Sequence, residues 1–498
     1  MEYPAYLELK TLQAENPEFT AQKPHLQKIS LLARSGHELR EHLHLFVEKR
    51  AGEEDCIYRT RLNKFSYSNT LGAGIAQLGS KLTNSPIHAT EASEFWDKFR
   101  ADNDGRGRTE KQLCSKLFSS TIKLQRCWAH VDKPFSDFLP RNLAEEQAHG
   151  LTPRVVVYDA LQVPHWSLKE NGTAEWVKVY QVISDTSNPL RKPLQKAVWT
   201  FIDGENIARY SHYVALKKDG SIQSLLNQKG EEVDYGDTAK IPLEGKPIAH
   251  GFGRCPVVPV VLSDELWAGN QAYAAAESCL RLECHRYDLL TAAYLQRTYK
   301  SVQLPDNDLN NTFVESENKP LPTGLQFVLE LDKFEWSEPS GTIIEPMTKT
   351  LNETKKEIRT ILALGGAYTQ QEDGSNVASG VSKQMDYANE DERLASYGAV
   401  LIDALNDIYK LVGIGSSNEP PTLSGLEDFG QDSFSELLDS LNAIATLDTS
   451  SLANRLPLEL YQLLMKKLIS FLLSNLPPEQ REALSNQTLP TDSPNREG

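Results

Sequence analysis

Trp267-Ala-Gly-Asn-Gln-Ala-Tyr273-Ala-Ala-Ala276-Glu-Ser-Cys-Leu280-Arg-Leu-Glu-Cys284-His-Arg-Tyr287-Asp-Leu-Leu-Thr291-Ala-Ala-Tyr294 carries a mostly apolar stripe at helical spacing, through Tyr273, Ala276, Leu280, Cys284, Tyr287, Thr291 and Tyr294. Over residues 267–300 such a helix reaches about 50 Å. An insert at 301–346 follows, with five prolines and one clean strand pattern, Leu325-Gln-Phe327-Val-Leu329-Glu-Leu331. A second helix, 347–365, resumes the period with Leu351, Thr354, Ile358 and Ile361. A polar loop at 366–382 holds Gln370, Gln371, Glu372, Asp373, Ser375 and Asn376, and a third helix, 383–413, repeats Leu394, Tyr397, Leu401, Leu405, Ile408 and Leu411. Two long helices joined by a small knob, then a loop and another helix, suit a rod-and-channel element. Pattern alone favours the plainer alternative, a helical domain with one hairpin insertion.

The rest of the chain sets bounds on that reading. Its 498 residues allow two to four domains, and 40% hydrophobic content suits a globular protein. A formal charge of −16, from 52 basic and 68 acidic residues, argues against a general coat for nucleic acid, which needs concentrated Lys and Arg. It is compatible with a surface past which DNA slides without sticking. Met1-Glu-Tyr-Pro lacks the basic start and apolar run of a secretory signal, and Leu458 to Leu473 is broken by Lys466-Lys467, so no membrane span is expected. Cysteines 56, 114, 127, 255, 279 and 284 show no Cys-x-x-Cys spacing, so neither zinc nor disulfides are implied.

The fold class expected is α+β and mainly helical. Residues 1–150 read as mainly helical. Residues 151–266 turn to strands at Arg154-Val-Val-Val-Tyr158, Glu175-Trp-Val-Lys-Val-Tyr180, Trp199-Thr-Phe-Ile202 and Cys255 to Leu262, with a turn at Leu168 to Gly172. Residues 414–427 read as a Gly/Ser/Pro linker, 428–476 as helices and 477–498 as a disordered tail. In 428–476, Leu460, Leu464, Leu468 and Phe471 lie on a helix apolar on most of its circumference. Such a helix must be buried, in its own core or against neighbouring subunits.

Enzyme motifs fail on spacing. His37-Glu-Leu-Arg-Glu-His42 places the second imidazole at i+5, off the face a zinc helix uses, so a solvated, ion-paired helix is expected. In Leu71-Gly-Ala-Gly74 through Gly79-Ser-Lys81, Ser80 stands where a phosphate loop needs Lys and Gln77 where a dinucleotide fingerprint needs Gly. Close helix packing through small residues is the better account. Asp102-Asn-Asp104-Gly-Arg106-Gly107 resembles a calcium loop, but Arg106 occupies a ligand position and Leu113 stands where the bidentate Glu belongs. Cys284-His285 lies mid-helix, where adjacency gives no catalytic pair, and Cys284 belongs to the apolar stripe.

Together these segments resemble the portal proteins of tailed double-stranded DNA bacteriophages, from about Tyr3 to Leu476. Tyr58-Arg59-x-Arg61-Leu62 with Asn69 and Gly79 resembles the start of the outer wing. Val155 to Trp166, Asn171-Gly172 and Trp176-Val177 resemble the strand pair after it, and His250-Gly-Phe-Gly-x-x-Pro256-Val-Val258 the approach to the first stem helix. The resemblance implies a helical outer wing (1–150), a β-rich wing (151–266), stem helices (267–300 and 347–365) flanking a clip (301–346), a tunnel loop (366–382), a long wing/tunnel helix (383–413) and a helical crown (428–476). It further implies a homododecameric ring at one capsid vertex, made in the host cytoplasm and built into the virion. Its partners would be the major capsid protein, the terminase large subunit transiently, adaptor or head-completion proteins, and double-stranded DNA held without sequence preference. No enzymatic activity, cofactor, metal or membrane is implied.

Within that architecture Lys349, Lys355, Lys356 and Arg359 become sparse basic sites on the second stem helix, or a solvated face paired with Glu353 and Glu357. Gln370, Gln371, Glu372, Asp373, Ser375 and Asn376 become a channel loop, or a plain connection. Two other readings stay open: a cytoplasmic enzyme with a dispersed site, and another head-assembly protein such as a minor capsid component.

Overall fold

The computed structural model describes residues 2–90, 93–134, 151–186, 192–217, 220–233, 238–295, 341–362, 380–427 and 429. All belong to one unit, Met1–Phe429. Most of the expected clip, the loop residues Gln370 to Asn376, the crown residues Leu460, Leu464, Leu468 and Phe471, and the 477–498 tail lie outside the described residues.

Three helices with strong start signals organise the N-terminal half. Helix α1, Pro17–Arg34, is capped by Asn16, which accepts from the Glu18 amide at 2.9 Å, and Pro17 occupies its first turn, where no N–H is needed. Helix α2, Thr70–Asn84, is capped by Asn69 on the Gly72 amide at 2.8 Å. Helix α3, Glu110–Leu124, opens with a capping box between Thr109 and Gln112. The apolar faces of α2 and α3 meet in one large core with Phe95, Trp96 and Phe99.

Two glycines of α2 face its neighbours, Gly72 towards α1 and Gly79 towards α3. A Cβ on Gly72 would stand 2.2 Å from the Ala33 carbonyl oxygen, and one on Gly79 would reach the Phe118 ring at 3.4 Å. Small residues let the helix backbones close up here, as the sequence suggested. The Asp102 loop is likewise self-contained: its Oδ1 accepts from the Arg106 and Gly107 amides at 3.1 and 2.9 Å, and Asp104 Oδ1 accepts from Arg106 and Arg108.

Behind the helices lies a three-stranded antiparallel sheet ordered Val257–Val261, Arg126–Asp132, Arg154–Asp159. Its central strand, Arg126–Asp132, lies within the 1–150 segment that reads as mainly helical and is not singled out there. Strand alternation sends Cys127, Ala129 and Val131 into the helical core and Trp128 to the opposite side. There Trp128 packs with Trp166, Val177, Val179 and Ile202 of a seven-stranded antiparallel sheet. That sheet runs in the order Glu232–Val233, Ile222–Leu226, Asn206–Leu216, Leu194–Ile202, Ala174–Asp185, His165–Leu168, with Ile248–Ala249 pairing to Asn206–Leu216. The expected turn is present, with Gly172 at φ 80°.

The N-terminal arm is tied to this sheet by a buried lysine. Lys178 is 1% exposed, and its ammonium donates to the carbonyls of Leu12, at 2.9 Å, and Ala14. It thereby satisfies carbonyls at the end of the short helix Leu9–Gln13 that no intrahelical donor reaches.

The 414–427 segment is no linker. Helix continues to Ser416, Leu423–Gly425 pairs with Ile87–Ala89, and Leu423 and Leu426 are buried. A Cβ on Gly398 would stand 2.0 Å from the Leu426 carbonyl oxygen, so glycine is what lets this return strand lie on the helix. The Gly/Ser/Pro composition reflects tight packing.

Substitution should separate the two α2 glycines. Gly72→Ala drives a methyl into backbone and is expected to cost about 1–3 kcal/mol, as overpacking does. Gly79→Ala meets only ordinary contact and gains helix propensity, so it should be neutral or stabilising by up to about 1 kcal/mol. Urea unfolding of both variants checks the contrast; equal effects would refute the packing account.

Candidate functional site

Helices α4, Tyr273–Leu295, and α5, Ile344–Ile361, form an antiparallel pair, and α6, Gly380–Ser416, packs on the three-stranded sheet, α2 and α3. Two contacts fix the antiparallel sense. Lys355 meets Glu283 at 2.7 Å, and Arg393 of α6 bridges the Ile361 carbonyl at one helix end to Gln271, just before α4, at 2.8 Å. At about 1.5 Å per residue α4 extends about 35 Å and α6 about 55 Å.

The stripe that announced α4 is buried through Ala276, Cys279, Leu280 and Cys284, but Tyr287 is 47% exposed. Its apolar face therefore leaves the core beyond Cys284, and Leu290 is exposed as well. Cys284 is core, and its thiol donates to the Ser66 carbonyl at 3.3 Å.

Glu283 lies inside this buried stripe. Its carboxylate accepts from Lys355 at 2.7 Å, from the Ser68 hydroxyl at 2.6 Å and from the Ser68 amide. Lys355 also donates to the Ser68 hydroxyl at 3.1 Å. Burial works against the Glu283 charge, but the bonds from Lys355 and Ser68 outweigh it and hold the carboxyl below its ordinary range. Close by, burial pushes the Cys279 thiol up to about 11, with Glu283 adding to the effect. The junction thus fastens three pieces at one point: α4, α5 and the turn before α2.

Helix α6 is fastened in the same manner. Lys81 of α2 pairs with the buried Glu390 at 2.5 Å. Tyr397 donates to the Leu266 carbonyl at 2.9 Å and its ring meets Phe118 edge-on at 5.3 Å. Further along, Tyr409 donates to Glu110 at 2.5 Å while Trp96 stacks on its ring at 5.0 Å. Arg100 completes that group, 2.8 Å from Glu110.

The four basic residues expected on the second stem helix divide. Lys349 and Lys356 are exposed. Arg359 is half-buried and engaged. Lys355 turns inward to Glu283 and leaves the outward set, a correction that follows from the buried carboxylate opposite it. Sequence reading overlooked Glu283, Glu390, Lys81 and Arg393. The available signal was a charge at core spacing: Glu283 is four residues after Cys279 and three after Leu280.

Beside α4 a cleft of about 200 Å³ is lined by Phe46, Arg61, Arg281, Cys284, His285 and Asp288, among others. Three of its charges are already paired: Arg61 with Glu53, Arg281 with Glu277 and Asp288 with Lys64, each at 2.7 Å. His37 is exposed and lies 3.6 Å from Glu41, and Arg34 pairs with Glu38 at 3.1 Å, so this stretch is the solvated, charge-paired surface expected of it. Among the described residues no helix is long and apolar enough to cross a membrane.

No family model matches the chain, and no curated protein matches it. Solved structures with a detectable likeness include a chain in the virion of a native gene transfer agent particle, 12% identical over 86% of this chain and 96% of that one, TM-score 0.38. A second lies in the neck of an empty gene transfer agent particle computed with C6 symmetry, 12% identical over 80% and 92%, TM-score 0.37. A third lies in the neck of the native particle computed with C12 symmetry, 10% identical over 77% and 87%, TM-score 0.36.

Removing one partner of the junction should be costly. Lys355→Met leaves Glu283 buried and unpaired, with an expected loss of about 3 kcal/mol. Adding Glu283→Leu to that variant should recover most of it, because the buried charge is then gone. Because the Glu283 carboxyl is held below its ordinary range, its contribution is complete above that range and disappears as pH falls through the lowered value. A denaturation series on the two variants at pH 7 checks the pairing; a double variant no better than the single one would count against it.

Proposed function

We propose that the chain is the portal subunit of a tailed double-stranded DNA bacteriophage particle, a structural conduit and docking platform without catalytic activity of its own. One observation carries the reading. Two antiparallel helices, α4 and α5, consecutive along the chain with residues 296–343 between them, are clamped to each other and to the turn before α2 through Glu283, Lys355 and Ser68, and a 37-residue helix follows them. That is the order in which a portal subunit presents stem, clip, stem, tunnel loop and long helix.

In this reading α4 and α5 line a channel and 301–346 forms the clip, against which terminase and later adaptor proteins dock. Residues 1–266 form the wing facing the capsid. Exposed Lys349 and Lys356, with Arg359 beside them, are sparse cations in a strongly acidic assembly. Repulsion from most of the wall, screened over about 8–10 Å, leaves DNA free to slide. The loop residues Gln370 to Asn376 reach toward the duplex, and Leu460, Leu464, Leu468 and Phe471 pack in the crown between subunits. A head-to-tail contact repeated about one axis closes a ring.

Electron microscopy of the purified full-length chain, with particle mass measured in parallel, tests the proposal. Closed rings with a central channel and a mass near twelve times 55.8 kDa are expected. A small closed oligomer that turns over a small molecule would replace the portal reading with an enzyme. A head-associated protein that never closes a ring would replace it with a minor capsid component.

A further inference from the structure

A histidine lies buried where the three-stranded sheet meets the seven-stranded one. His130, on the central strand Arg126–Asp132, is 4% exposed, and among the described residues neither ring nitrogen has a protein hydrogen-bond partner. It lies on the same face of the strand as Trp128, and its ring stacks on Tyr158 at 6.2 Å and 21°. Buried polar groups are nearly always paired, so a wholly unpaired imidazole inside a layer contact needs a physical account.

Its surroundings favour the neutral ring from every side but one. Tyr158 on the neighbouring strand presents an aromatic face, and Val257 is the register partner on the other. From the seven-stranded sheet and the segment after it, Arg209 and His250 add positive charge or the capacity for it. His250 is itself built for neutrality: Nε2 donates to the Asp203 carbonyl at 2.9 Å and Nδ1 accepts from the Phe252 amide at 3.2 Å. Protonating Nδ1 would turn that second bond into a clash of donors. The Asp203 carboxylate is occupied by the Glu205 and Asn206 amides and the Tyr3 hydroxyl. Asp132 alone favours a charge on His130, and it is shared with Arg154 at 3.3 Å.

We propose that this seam is an acid-operated joint: protonation of His130 admits water between the two sheets and loosens the seven-stranded layer while the helical body stays folded. A charged imidazolium carries two N–H donors into a space that offers neither an acceptor, and only opening to water satisfies them. The apolar contacts around Cys127, Ala129 and Val131 on the other face of the same strand belong to the helical core and do not depend on the ring.

The sign follows from linkage. Burial, with His250 and Arg209 assisting and Asp132 opposing, lowers the His130 pKa to about 4 in the closed seam. Once the seam opens the ring titrates at its ordinary value, near 6.5. Opening therefore gains a proton between those limits, and each unit of falling pH favours it about tenfold.

Hydrogen–deuterium exchange of the full-length protein at pH 7.0 and 4.5, corrected for intrinsic rates, tests the joint. Protection of Ala174–Asp185, Leu194–Ile202 and Asn206–Leu216 should fall at least tenfold in acid, while Thr70–Asn84 and Glu110–Leu124 hold. In His130→Phe, which keeps the stack on Tyr158, and independently in His130→Gln, that loss should vanish. Two results overturn the proposal: sheets and helices losing protection together, or non-titrating variants that respond to acid as the parent does.

Discussion

The contact among Glu283, Lys355 and Ser68 is the constraint on which the rest of the described fold turns. A buried carboxylate of this kind is tolerated only when its partners are supplied from fixed positions. Here they come from one helix far along the chain and one turn far back in it. The demand fixes how α4 lies beside α5 and how both lie on the turn before α2. An apolar contact at the same place could have bound the helices as firmly without needing partners from three separate parts of the chain.

The same device recurs wherever a long element must be held at one register. Lys81 and Glu390 position α6 on α2; Tyr409, Glu110 and Arg100 position its far end; Lys178 holds the N-terminal arm to the sheet. Around each lies ordinary apolar packing, which supplies most of the stability through area removed from water. The ionic and hydrogen-bonded contacts are few and decide geometry.

The helices were largely legible because their periodicity is strong and their ends are marked. Leu351, Thr354 and Ile358 are buried as their spacing required, and Leu394, Tyr397, Leu401, Leu405 and Ile408 are too. The small-residue reading of α2 was also available from sequence, since no glycine-loop chemistry fitted it. What failed was local. Arg126–Asp132 is a short strand interrupted by the polar His130, and it follows closely on a helix, so neither length nor composition set it apart. Residues 414–427 have the composition of a linker, yet they pack, because glycine and proline serve close backbone approach as readily as freedom.

The candidate site was legible only as a helix face with charges on it. Sequence alone determined that three long helices exist, that an insert separates the first two, that the chain is acidic, and that familiar catalytic spacings are absent. Those properties depend on neighbours within a few residues or on sums over the whole chain. Tertiary structure alone decided that Lys355 faces inward to Glu283 while Lys349 and Lys356 face out, that Glu390 is buried against Lys81, and that His130 sits unpaired between two sheets. A charge acquires its role from what stands opposite it, and residues separated by more than two hundred positions are brought opposite one another only by the fold.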